Sequence, residues 1–157
     1  MELVVFFFLS WLVISIFTVL NKELDIVKST FIFLIILFIN IHFSWIINDE
    51  LKLITIQEKW LPYTAYLFNR NIIIPIIVLL HLNLFLKKRS LTKKAITLLS
   101  SVLILLIISF ISIRLNISEF KKWTFWFEGI YYLCLNLIAL FSFTLFNRTS
   151  KEVSRYR

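Results

Sequence analysis

The chain has 157 residues, 60% of them hydrophobic, with 17 Lys and Arg against 9 Asp and Glu and a formal net charge of +8. Apolar content this far above the roughly 45–50% of soluble domains excludes an ordinary soluble core and places most side chains against lipid. One cysteine, Cys134, removes intramolecular disulfides, CxxC redox chemistry and thiolate zinc sites, while one glycine, Gly129, removes phosphate-cradling loops, dinucleotide fingerprints and GxxxG helix pairing.

Five apolar runs follow one another, over 3–20, 29–48, 67–86, 95–113 and 129–147. At 1.5 Å rise per residue, about 20 helical residues cover the ~30 Å hydrocarbon core. The runs therefore predict an all-α membrane protein, a bundle of five transmembrane helices forming a single polytopic domain over 1–157, with no soluble domain. The first run opens Met1-Glu2 without a basic n-region, and no small-x-small cleavage site follows it, so it reads as a mature helix rather than a signal peptide.

The second run carries Asn40 and His42, the third His81 and Asn83. Polar groups inside a bilayer are costly and are functional candidates by default. Residues two apart on a helix point about 200° from each other, so sheltering both groups of each pair requires the second and third helices to be central. Between these helices, 49–61 reads as an interfacial segment resting Leu51, Ile54 and Leu61 on the membrane and ended by Pro62. The third helix can begin near Tyr66 with Arg70 snorkelling outward, and Pro75 removes the bond to Asn71 and bends the first turns. In the fourth run Thr97, Ser101 and Ser112 share a face; in the fifth, Gly129, Tyr132, Asn136, Ala139 and Phe143 form a stripe, with Cys134 expected as a buried structural thiol.

Depth along the helices suggests partners. Asn40 lies about 12 Å and Asn136 about 10 Å below one face, whereas His81 lies about 8 Å from the other, level with Ser100 and Ser101. Asn40–Asn136 and His81–Ser100 or Ser101 are the expected interhelical contacts. The two histidines differ in height by about 10 Å or more, too far to share a metal, so neutral structural imidazoles are expected and no metal or cofactor.

Lys22 and Lys28, the cluster Lys87, Lys88, Arg89, Lys93 and Lys94, and the tail Arg148, Lys151, Arg155 and Arg157 fall on one side of a five-helix chain. Lys52, Lys59, Arg70, Arg114, Lys121 and Lys122 fall on the other. The imbalance predicts an outside N-terminus and a cytoplasmic C-terminus. The KKRSLTKK cluster then faces anionic lipid headgroups or an acidic partner, or serves as a topology anchor. Cations so close to helix ends, with no aromatic stacking platform beside them, exclude nucleic acid. Trp60, Tyr63, Tyr66, Trp123, Phe125, Trp126 and Phe127 suit an aromatic belt at the opposite interface. Abundant Ile, Phe, Lys and Asn with scarce Gly and Ala fits an AT-rich genome and a bacterial plasma membrane.

These features favour a non-enzymatic accessory subunit, of the regulatory or immunity type, that binds a membrane-protein partner or lipid. An oligomeric carrier or channel subunit using His42 and His81 is the alternative. A membrane enzyme is the third reading, and it would need the carboxylates Asp49, Glu50, Glu58, Glu119 and Glu128, each of which has a solvated or helix-capping explanation. The topology has a direct check: in a Cys134→Ser background, a cysteine replacing Ser90 should react with membrane-impermeant maleimide only after the bilayer is opened.

Overall fold

The computed structural model describes residues 1–20 and 23–155, with side chains through Arg148. Lys22 and Arg157, and the side chains of Lys151, Glu152 and Arg155, lie outside the described residues. Among the described residues, five spans are long and apolar enough to cross a membrane. The first is α1 (Glu2–Val19), and the second is α2 (Ile26–Trp45) extended by a π-helical turn (Ile46–Glu50). The third joins α3 (Trp60–Phe68) through another π-helical turn (Asn69–Ile73) to α4 (Ile74–Lys87). The fourth is α5 (Leu91–Arg114) and the fifth α6 (Phe125–Arg155).

All ten residues from Ile74 to Asn83 are buried, which makes α4 the axis of the bundle. The helices α5, α6 and α2 follow one another around it, and α1 covers the remaining side by packing on α3 and α4. This central position shelters both His81 and Asn83, as their opposed directions require. The second helix is not central, contrary to the same argument. It buries one face, Ser29, Ile32, Ile36 and Asn40, and leaves His42 on the outer surface. His42 satisfies itself there: Nδ1 donates to the Phe38 carbonyl at 2.8 Å and the imidazole rests on the Phe38 ring, centroids 4.1 Å apart. Cys134 is likewise exposed on the outer surface rather than buried.

The segment 49–61 does not form an interfacial helix. Its β-branched Ile54, Thr55 and Ile56 form strand β1 (Ile54–Ile56), paired antiparallel with β2 (Ser118–Phe120), Thr55 opposite Glu119. Lys52 and Asn116, at φ of 50° and 52°, turn the two chains into this sheet. Asn tolerates that left-handed conformation, and the Ile117 N–H closes on the Ser112 carbonyl at 3.0 Å to finish α5 with a Schellman-type cap. Pro62 sits in the first turn of α3, where a missing N–H removes no helical bond, so the third span starts earlier than Tyr66.

The π turn before α4 follows from Pro75. The Ile74 N–H reaches back to the Asn69 carbonyl, so the next N–H in that wide register, the one that would serve the Arg70 carbonyl, belongs to Pro75 and does not exist. The side-chain amide of Asn40 takes the vacancy, donating from Nδ2 to the Arg70 oxygen at 2.6 Å. At the opposite end, Asn83 Oδ1 accepts the Glu23 N–H at 2.7 Å and pins the connection between α1 and α2. The proline bond can be tested as a cycle. Asn40→Leu should destabilise the detergent-solubilised protein by about 1–3 kcal/mol, the usual cost of an orphaned buried polar group. In a Pro75→Ala background, where a backbone N–H is restored, thermal melts should show a smaller loss for the same change.

Candidate functional site

Between the sheet and the ends of α2, α5 and α6 lies a polar cavity of about 60 Å³, floored by the π turn of the third span. From α2 come Asn40 and Ser44; from the third span, Tyr66, Asn69 and Arg70; from α6, Glu128, Tyr131 and Tyr132. Ile54, Ile56, Ser118 and Phe120 form the cover, and a hydroxyl–hydroxyl bond of 3.0 Å between Ser112 and Ser118 fastens it to α5.

The carboxyl of Glu128 is the feature that sequence reasoning misplaced. Because α6 starts at Phe125 rather than Gly129, Glu128 falls inside the span, in the first turn of the helix, on the face turned to the bundle. It is 8% exposed, so it is not solvated, while its place at the positive end of the helix is as the sequence suggested. Oε1 accepts from Tyr132 at 2.7 Å and from Ser109 at 3.3 Å, and Oε2 accepts from the Trp123 indole at 2.5 Å. A carboxylate has about four lone-pair sites, so this arrangement fixes the group and leaves one acceptor direction on Oε2. Asp49, Glu50, Glu58 and Glu119, by contrast, are exposed as expected.

Asn40 connects the two sides of the cavity. Its Oδ1 accepts from the Tyr131 hydroxyl while its Nδ2 holds the Arg70 carbonyl, and the Tyr131 ring stacks on Phe43, centroids 3.9 Å apart and planes 7° apart. Arg70 does not snorkel outward; it is half-buried, its guanidinium 5.3 Å from the Tyr66 ring centroid and its Nε donating to Asn71 Oδ1 at 3.0 Å. The Tyr66 hydroxyl in turn accepts from Asn48 Nδ2 at 2.7 Å. Among the described residues the two ion pairs, Met1–Glu2 and Lys28–Asp25, lie elsewhere, so Arg70 has no carboxylate within salt-bridge distance. Asn69 is 8% exposed and its Oδ1 has no hydrogen-bond partner although it lines the cavity.

The other candidates divide. Asn136 does not bond Asn40: it donates to the Tyr132 carbonyl at 2.8 Å and shares with His81 a small pocket of about 10 Å³. His81 donates from Nδ1 to the Ile77 carbonyl at 2.8 Å, Ser100 donates to the Thr97 carbonyl at 2.8 Å, and Ser101 is fully buried without a partner, so the expected histidine–serine bond is not formed. Depth put Asn136 level with Asn40, whereas it lies against His81, and the helix rotation that decides who faces whom is also invisible to depth. Lys87, Lys88, Arg89 and Lys93 are exposed at the far end of the bundle, and Lys94 lies over the Phe85 ring at 5.2 Å. The aromatic residues near the sheet split as well. Trp60, Tyr63, Trp126 and Phe127 face outward, as a belt would, while Tyr66 and Trp123 turn inward. No group of three or more His, Cys, Asp or Glu able to hold a metal occurs among the described residues.

Removing Glu128 should therefore cost stability. Glu128→Ala leaves Ser109, Trp123 and Tyr132 donors unpaired, at about 1–3 kcal/mol for each buried group. Differential scanning fluorimetry in detergent should show a large drop in Tm for Glu128→Ala, a smaller one for Glu128→Gln, and no change for Glu119→Ala on the exposed strand.

No protein-family model, curated protein or solved structure matches the chain.

Proposed function

We propose that the chain is a non-enzymatic accessory protein of a bacterial plasma membrane, regulatory or immunity-like, that receives a polar group of a membrane-protein partner or lipid in the cavity beneath the sheet. The observation that carries this reading is the pairing of a half-buried Arg70 lacking a carboxylate partner with an unpartnered Asn69 oxygen in one small, partly closed space. Such unmet polar capacity suits recognition, because a ligand supplies what the fold leaves out. The charge count favours placing the sheet end outside and the KKRSLTKK end at the anionic cytoplasmic leaflet. The hold of three donors on Glu128 supports a fixed binding wall rather than a base that exchanges protons with substrate.

One observation favours a second reading. Glu128, Tyr132 and Asn136 are spaced four residues apart on α6 and lead from the cavity toward the His81 pocket, a polar seam that an oligomeric carrier could use. The exposed His42 would reach such a path only across a subunit interface.

Affinity purification of the tagged full chain in mild detergent separates the two. A defined larger complex with another membrane protein is the expected outcome. A lone homo-oligomer that passes ions when reconstituted into liposomes would replace the accessory reading with the carrier.

A further inference from the structure

We infer that the cavity beneath the sheet is a site for a small zwitterion, a primary ammonium group joined through a short linker to a phosphate or carboxylate. The inference rests on the binding reading above and names what is bound. Three observations carry it. Arg70 offers a cation with no carboxylate within salt-bridge distance, its Nε on Asn71 and its guanidinium over the Tyr66 ring. Two residues that line the same space have acceptor capacity to spare: Asn69, whose Oδ1 is buried and unpartnered, and Glu128, whose Oε2 accepts one bond from Trp123. An anion alone would satisfy Arg70 but bring nothing to Asn69. An ammonium alone would leave Arg70 facing an uncompensated positive charge. A ligand with both groups meets donor and acceptors together, and the cavity's formal charge, one Arg against one Glu, is already balanced for a neutral guest.

Size and donor chemistry narrow the choice. The cavity of about 60 Å³ has room for about four to six waters, enough for an aminoethyl group with part of its anion but not for a large sugar or a peptide. The N–H donors of a primary ammonium are what Asn69 Oδ1 requires; a quaternary ammonium carries the same charge without them. Two sources share this chemistry, the headgroup of an aminoethyl phospholipid and a free amino acid or aminoalkyl phosphate.

The full chain reconstituted in nanodiscs of equimolar phosphatidylethanolamine, phosphatidylcholine and phosphatidylglycerol, then released for native mass spectrometry, tests the lipid source. Melting in detergent with added phosphoethanolamine or glycine tests the soluble one. The expected result is retention of phosphatidylethanolamine over both other lipids by about tenfold, equivalent to about 1.4 kcal/mol, or a rise in Tm with a soluble zwitterion but not with inorganic phosphate. Either preference should fall to near parity in Arg70→Gln and in Asn69→Leu. If Arg70→Gln does not fold, Arg70→Lys keeps the charge, loses the planar fork and should give an intermediate preference. Equal retention of phosphatidylcholine, response to inorganic phosphate alone, no response to any zwitterion, or full selectivity in folded Arg70 and Asn69 variants would overturn the assignment. The partner complex is scored in the same preparations. Lost zwitterion selectivity with an intact complex counts against this inference alone, and selectivity without any complex counts against the accessory reading alone.

Discussion

One missing hydrogen-bond donor organises the end of the bundle where the site lies. Pro75 has no N–H, and the helix before it widens into a π turn, which leaves the Arg70 carbonyl without a backbone partner. A buried carbonyl left without a partner is costly, so a side chain serves it. Asn40 does so, and because its other end accepts from Tyr131, one amide joins the second, third and fifth spans at a single depth. The widened turn also carries Asn69, with its unpartnered oxygen, and Arg70, with no carboxylate beside it. A defect in one helix therefore sets both the register of its neighbours and the chemistry of the cavity.

Glu128 is the counterpart on the other wall. A carboxyl in the first turn of an apolar span is costly unless its oxygens are occupied, and three donors from two directions occupy them. Trp123 contributes from the connection ahead of α6 and Ser109 from α5, so the acid ties the sheet's flanking segment to the helix pair beneath it. The cover is held in the same way, by Ser112 to Ser118 and by Ile117 buried at the cap of α5. Rigid walls around a small polar space limit the entropy lost when a guest enters, which is the usual advantage of a preformed site.

The spans were legible because length and charge exclusion are set by the bilayer and printed along the chain. The axial role of α4 was legible too, from the opposed directions of His81 and Asn83. The same geometry failed for α2, since His42 can close on Phe38 within its own helix and needs no neighbour. The sheet was not legible. Ile54–Ile56 and Ser118–Phe120 are three residues each, and they pair across more than sixty residues of intervening chain. Glu128 was visible as a residue but not as a site, because its role depends on a helix starting four residues earlier than the uncharged run suggested. An aromatic-rich approach such as Trp123–Phe127 can extend a span upstream, and that was the available signal.

Where a polar group's bonds go is a better guide to its meaning than how deep it lies. His42, His81, Ser100 and Asn136 all donate to carbonyls three or four residues back in their own helices, so each closes its polarity locally and asks nothing of its neighbours. In a chain with one glycine, such self-contained side chains let helices approach without small apolar residues. Gly129 itself does not enforce close packing, since a methyl group there would meet Leu106 at an ordinary 3.8 Å. Asn40, Asn83 and Glu128 behave differently: their bonds cross between elements and hold parts of the fold that would otherwise separate. Of these, Asn83 closes a loop, whereas Asn40 and Glu128 line a space that still has bonds to offer. Unmet capacity alone does not make a site, since Asn83 Nδ2 and Ser101 Oγ are also buried without partners; what sets Asn69 and Arg70 apart is that they line a cavity.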